Sequence, residues 1–297
     1  MILALFLLTA CGTDPASNGG EDTGTDTGSS AGIDAGTSTD TALTAPASNP
    51  YGDAAAVGCP VLSEGRNTLT SAGLEREAVI VLPEVPEGAP VVFAWHWLGG
   101  TADQILSWME MEKLAAEGAI VVAPDSTRMI TEWDYLAAPD ESIDALLFDD
   151  LLTCLWDAWA IDTDRVYATG MSAGGLMTSY LTMHRSTVLA ATLPFSGGVV
   201  NAYYEAPEVD LPVMLVWGGE TDSYGGYDFH SATLSFSSAL QQDGSFVVEC
   251  EHDLGHLPPD GAAELAWTFF EAHPMTISGE PWASELPGTL PDYCRLP

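Results

Sequence analysis

Basic residues are scarce in this chain. Lys and Arg number 7 among 297 residues, against 43 Asp and Glu, for a formal net charge of −36. Nucleic acid is therefore excluded as a partner, since phosphate binding needs clustered Lys and Arg. Direct adsorption to anionic membranes is disfavoured for the same reason. The acidity describes a heavily hydrated surface; adaptation to salt would produce the same excess, and the sequence does not separate the two. Long hydrophobic runs are missing as well. The sustained run at residues 1–11, MILALFLLTAC, is too short to span a bilayer. Cysteine is sparse at five residues, no C-x-x-C pair occurs, and no metal site is expected. No internal repeat is present. What remains is a chain with 46% hydrophobic residues, enough for one sizeable core.

The N-terminal run ends Leu8-Thr9-Ala10-Cys11, which resembles the lipobox of bacterial lipoproteins. The resemblance implies cleavage before Cys11 and lipidation of that cysteine, so that residues 1–11 are a signal. An ordinary signal peptide is the alternative, and both readings export the protein. Membrane contact is then expected through the N-terminal lipid anchor alone. Residues 12–57 are dominated by Gly, Ser, Thr, Asp, Ala and Pro and hold no Lys or Arg. A segment of that composition buries too little to offset its ordering entropy, and reads as a disordered tether. Cys59, Cys154, Cys250 and Cys294 remain. In an exported protein four cysteines suggest two disulfides, with three pairings open. Cys59 and Cys294 bracket the folded part, and position alone suggests that they staple its ends.

From residue 58 to 297 short apolar runs alternate with helical stretches. Strands are expected at 77–83, 90–97, 119–124, 165–170, 189–197, 212–218 and 245–250; several are apolar on both faces, as in a buried parallel sheet. Helices are expected at 101–118, 144–160, 172–185, 230–242 and 260–273. The alternation predicts an α/β fold, a mostly parallel central sheet flanked by helices, with no large lid domain.

Gly170-Met171-Ser172-Ala173-Gly174 fits G-x-S-x-G between a predicted strand and a predicted helix. Glycines at both flanks give clearance at so tight a corner, and the following helix points its N-terminal dipole at Ser172. A serine becomes a nucleophile only when a base takes its proton. Of six histidines, His184 lies more than ten residues along the same helix, while His230 and His273 read as solvated helix ends. His252 and His256 lie in a loop after the last predicted strand and before the last predicted helix, and His256 is chosen because Pro258 and Pro259 stiffen that loop. The orienting carboxylate should lie between serine and histidine. Asp222 follows a buried strand and a glycine turn; Glu220 and Asp228 are alternatives. For the oxyanion, donors are expected from the N–H groups of Ala173 and of Leu98, with Trp97 as the near alternative to Leu98. His96 reads as a structural histidine bonded to loop backbone.

Together these phrases resemble the α/β-hydrolases, and among them the secreted esterases grouped with polyhydroxybutyrate depolymerases and feruloyl esterases. The likeness rests on GLEREAVIVLPE, HWLGG, DTDRVYATGMSAGG, GGETD and GH, and covers about residues 59–273. It implies a serine carboxylic-ester hydrolase acting on a small or oligomeric ester without a cofactor. One departure stands out. Trp97 occupies the position after the histidine where the family usually has glycine, which implies a narrowed acyl pocket. Trp97, Trp133, Tyr203 and Tyr204 are candidate pocket walls. A serine peptidase and a catalytically retired surface-binding lipoprotein are the rival readings.

Overall fold

The computed structural model describes residues 48–200 and 203–297. The lipobox, Cys11 and most of the expected tether lie outside the described residues. Ordered structure nevertheless starts ahead of residue 58. Asn49 Nδ2 donates to the Thr153 carbonyl at 2.8 Å, and the Tyr51 ring packs against the core. An aromatic ring and a donor close to the domain give this stretch something to bury.

Along the chain follow α1 (Ala54–Val57), β1 (Gly65–Ser71), β2 (Leu74–Val81), β3 (Val91–Trp95), α2 (Ala102–Trp108), a 3-10 turn at Met111–Ala115, β4 (Ile120–Pro124), α3 (Ile143–Trp159), β5 (Val166–Met171), α4 (Ala173–His184), β6 (Ala191–Phe195), β7 (Val213–Trp217), β8 (Ser223–Tyr224), β9 (Tyr227–Asp228), α5 (Phe229–Asp243), β10 (Val247–Glu251), α6 (Ala262–Ala272) and β11 (Cys294–Arg295). A nine-stranded sheet runs β1-β2-β4-β3-β5-β6-β7-β10-β11. The stretch from β4 to β10 is parallel; β1, β2 and β11 pair antiparallel at the two edges.

The apolar runs sort by alternation into two cores. Val91, Phe93 and Trp95 of β3, with Val213, Leu215 and Trp217 of β7, face α3, α4 and α5. Val92 and Ala94, with Met214 and Val216, face α2 and α6. Because strand side chains point to opposite faces in turn, a run apolar on both faces must be covered twice. That is why these strands are central and parallel.

Several elements differ from expectation: α1 and the short strands β8, β9 and β11 are additional, and β1 and α2 differ for instructive reasons. β1 was not anticipated: its inward positions include Asn67 and Ser71, which hide the alternation around Leu69. It pairs with β2 through a two-residue turn whose residues, Ala72 and Gly73, both have positive φ, 50° and 74°. The helix expected at 101–118 breaks at Glu110, which sits in the left-handed region at φ 57°. Met109 and Met111 are both buried. In an unbroken helix they would point nearly opposite ways, and the break lets both enter one core.

The disulfides correct the expectation of a terminal staple. Cys59 bonds Cys154 on α3, and Cys250 on β10 bonds Cys294 on β11. The first closes a separation of 95 residues, which in the chain-entropy account restricts the unfolded chain by about 4–5 kcal/mol. Each bridge ties a terminal segment to the element beside it, and both fit an oxidising compartment.

Candidate active site

Ser172 sits between β5 and α4 with φ 59° and ψ −116°, a conformation L-residues rarely adopt. The flanking glycines make the corner possible. A Cβ on Gly170 would lie 2.5 Å from the Gly174 carbonyl oxygen, and one on Gly174 would lie 1.9 Å from the Trp95 carbonyl oxygen. The strain is held by backbone: the Ser172 N–H donates to the Phe195 carbonyl at 2.9 Å, and the Ser172 carbonyl accepts from Leu176 at 2.8 Å.

Three distant segments converge here. His256 Nε2 lies 2.8 Å from Ser172 Oγ, and His256 Nδ1 lies 2.7 Å from Asp222 Oδ1. Asp222 is fully buried after β7. Its Oδ2 accepts from Ser196 Oγ at 2.7 Å and from the Gly218 N–H at 2.9 Å. Every partner of Asp222 is thus a donor or a ring nitrogen, which suits an ionised carboxylate. Nδ1 then carries the imidazole proton, and the Nε2 lone pair faces the serine hydroxyl. The His256 ring stacks on Phe229 at 4.3 Å and beside Tyr224 at 5.5 Å. The two loops that carry Asp222 and His256 touch through glycines: a Cβ on Gly218 would lie 1.7 Å from the Gly255 carbonyl oxygen. Glu220 and Asp228, the alternatives, are elsewhere; Asp228 caps α5 by accepting from Ser231.

Bordering the same cavity as Ser172 and His256, Trp97-Leu98-Gly99-Gly100 forms a tight turn. The Gly100 N–H donates to the Trp97 carbonyl at 2.9 Å, with Gly99 at φ 74°. The N–H groups of Trp97, Leu98 and Ala173 have no hydrogen-bond partner among the described residues. Leu98, Ala173 and Ser172 line one cavity of about 250 Å³, together with Ile130, Tyr135 and Leu176. A second cavity of about 270 Å³ is bounded by Trp97, Trp108, Tyr224, His256 and Ser172. A larger cleft, about 920 Å³, lies behind the acid turn and does not include Ser172.

The remaining expectations divide. His96 is buried, its Nδ1 donating to the Trp97 carbonyl at 2.9 Å, and burial pulls its pKa down. Three of the pocket walls need correction or restriction. Trp133 is fully buried, packs edge-on against Trp95, and donates from Nε1 to the His96 carbonyl at 2.8 Å. Tyr204 packs against Phe236 of the core. Tyr203 borders a neighbouring cavity that does not include Ser172. Of His230 and His273, expected as solvated helix ends, His230 alone keeps any exposure. His273 is buried between the Phe269 carbonyl and Glu280, and His252 is buried with Nδ1 accepting from Leu254 N–H; only His230, which accepts from Trp217 Nε1, keeps partial exposure. His252 and His256 stand four residues apart, a metal-pair spacing on a helix, but they lie on a loop and face different partners.

Sequence reasoning missed Ser196, Phe229, Tyr224 and Trp108. Ser196 holds a positive φ of 45°, unusual for a non-glycine residue, which no sequence signal announces.

No family model matches the chain. It is 28% identical to feruloyl esterase C of Emericella nidulans over 271 residues, 78% of this chain and 97% of that one. It is also 28% identical to probable feruloyl esterase C of Aspergillus terreus over 178 residues, 54% of this chain and 62% of that one. Among solved structures, native sOPH superposes with a TM-score of 0.66 at 21% identity, covering 80% of this chain and 96% of the other. In sequence the chain is thus similar to feruloyl esterases, and in fold it is similar to sOPH.

Proposed function

We propose that this ester hydrolase works through an acyl-enzyme on Ser172, with His256 as general base and acid and Asp222 as the orienting carboxylate. The observation that carries the reading is the unbroken chain of contacts Asp222–His256–Ser172, at 2.7 and 2.8 Å. His256 Nε2 takes the hydroxyl proton as Oγ bonds the ester carbonyl carbon. The oxyanion is met by the N–H groups of Ala173 and Leu98, which are otherwise unengaged. The intermediate collapses, and the alcohol leaves with the proton from His256. Water then gives its proton to His256 and releases the acid.

His256 borders the cavity of Trp97 and Trp108 but not that of Leu176 and Tyr135. The leaving alcohol must meet His256, so it takes the former side and the acyl group the latter. Feruloyl, acetyl and hydroxyalkanoate esters are the substrate classes this reading names, on similarity to the feruloyl esterases. A panel of p-nitrophenyl and hydroxycinnamoyl esters should be hydrolysed, with kcat reduced at least ~10³-fold in Ser172→Ala. Cleavage of peptide anilides in place of esters would overturn the substrate class. An undiminished Ser172→Ala would overturn the mechanism.

The same reading holds that Cys11 is lipidated and that the segment after it, up to the docked stretch that starts near Asn49, tethers the catalytic domain to the cell envelope. Incorporation of an alkynyl fatty acid that disappears in Cys11→Ser supports it; equal labelling of the variant contradicts it.

A further inference from the structure

Glu132 is a buried carboxylate that the triad does not use. Its side chain is 3% exposed, its backbone is held at φ 70°, and it lies on the long connection between β4 and α3. Burying a carboxylate is costly unless its oxygens are satisfied. They are: Oε2 accepts from the Gly99 N–H at 2.8 Å, and Oε1 accepts from the Ser126 hydroxyl and, at 3.4 Å, from Arg128. The neighbouring Trp133 donates from Nε1 to the His96 carbonyl at 2.8 Å. One short loop therefore grips the turn at 96–99 from both ends, by the carbonyl of residue 96 and the N–H of residue 99. Between those two grips lie the peptide groups of Trp97 and Leu98, whose N–H groups are free beside Ser172.

We propose that Glu132 is a positioning residue for the oxyanion turn. Resting on the mechanism proposed above, it acts through the Gly99 N–H to hold the Leu98 N–H aimed at the developing oxyanion. The peptide plane that carries the Leu98 N–H is anchored at its other edge, the Trp97 carbonyl, by the Gly100 N–H and His96 Nδ1; Glu132 anchors the next plane through the Gly99 N–H, so that the turn cannot swing about Leu98. Leu98 is half-exposed and supplies no such anchor itself. A donor displaced by a fraction of an ångström loses much of its value in the transition state while binding of the ester is little changed.

The test compares Glu132→Ala, Glu132→Asp and Glu132→Gln, with p-nitrophenyl butyrate as substrate and an alkyl boronic acid as inhibitor. The boronate adds to Ser172 Oγ and presents a charged oxygen to the same donors. Glu132→Ala and Glu132→Asp should lose roughly 10- to 100-fold in kcat with KM within about twofold. Boronate affinity should fall in parallel. Glu132→Gln keeps a carbonyl acceptor for the Gly99 N–H and should recover most of both. Should the alanine variant fail to fold, the aspartate variant, which keeps the charge but draws it back from Gly99, carries the comparison. The proposal is overturned if kcat and boronate affinity stay near wild type, if KM rises while kcat holds, or if the glutamine variant falls as far as the alanine one. An inactive wild-type enzyme would instead overturn the mechanism on which the proposal rests.

Discussion

At the scale of single residues, the site is governed by how few ways each side chain can be satisfied. Asp222 is fully buried and is steadied on one oxygen by Ser196 Oγ and the Gly218 N–H. Removing the hydroxyl leaves one of those donors in place. Ser196→Ala should therefore lower kcat only about fivefold, about 1 kcal/mol, with KM unchanged. Steady-state kinetics on one ester checks this; a loss as deep as that of an Asp222 variant would mean that Ser196 does more than steady the carboxylate. Ser172, Asp222 and His256 could each be named from the sequence, because each follows a predicted strand and has a glycine within three residues. Ser196 could not. Its partner lies 26 residues away in the turn that follows the next strand, and PFSGG reads as an ordinary strand end. Glu132 was hidden for a similar reason: among 43 acidic residues, burial distinguishes it, and burial is a property of the fold.

At the scale of elements, the interior of the sheet was plain in the sequence and its margins were not. Central strands such as IVVAP and VMLVW are apolar at every position, which reads in only one way. β1 carries polar residues inward, and the α2 break at Glu110 depends on two methionines seeking one core. The same margin holds a buried ion pair. Arg76 on β2 reaches Asp144 on α3 at 2.6 Å, with both side chains almost fully buried. Asp144 Oδ2 also accepts from the Asp134 N–H at 2.7 Å, on the connection that carries Glu132. Arg76→Met would strand the Asp144 carboxylate without its cation. We expect a loss of about 3–5 kcal/mol, measured by urea unfolding with the ester-hydrolysis rate followed alongside. A change below about 1 kcal/mol would show that the pair is dispensable to this margin.

At the scale of the whole molecule, two cores on the faces of one sheet leave the rim of strand ends free for the site. The α/β class followed from alternation alone; the strand order and the disulfide pairing did not, because both depend on which distant segments meet. The molecule's response to acid follows from its buried histidines. Burial holds His96, His184 and His252 below the ordinary imidazole value of 6.5. On unfolding they regain that value, so the unfolded chain takes up protons first as the pH falls. Their contribution to stability is therefore complete above 6.5 and is lost as pH falls through their folded values. Asp144 and Asp149, raised above 3.8 by burial, act with the opposite sign in a window that opens at 3.8. Tm should fall between about pH 7.5 and about pH 5.5, and His184→Gln should shrink that fall. A Tm that is flat or rising toward acid would contradict this assignment.

The central claim is that Ser172 carries the acyl group, and it can be seen directly. A p-nitrophenyl ester reaction is quenched in acid within the first turnover, and the digest is weighed by mass spectrometry. The account predicts one added acyl group on the peptide containing Ser172, absent in Ser172→Ala. Continued ester hydrolysis with that peptide unmodified, or with the acyl group on another residue, would contradict it.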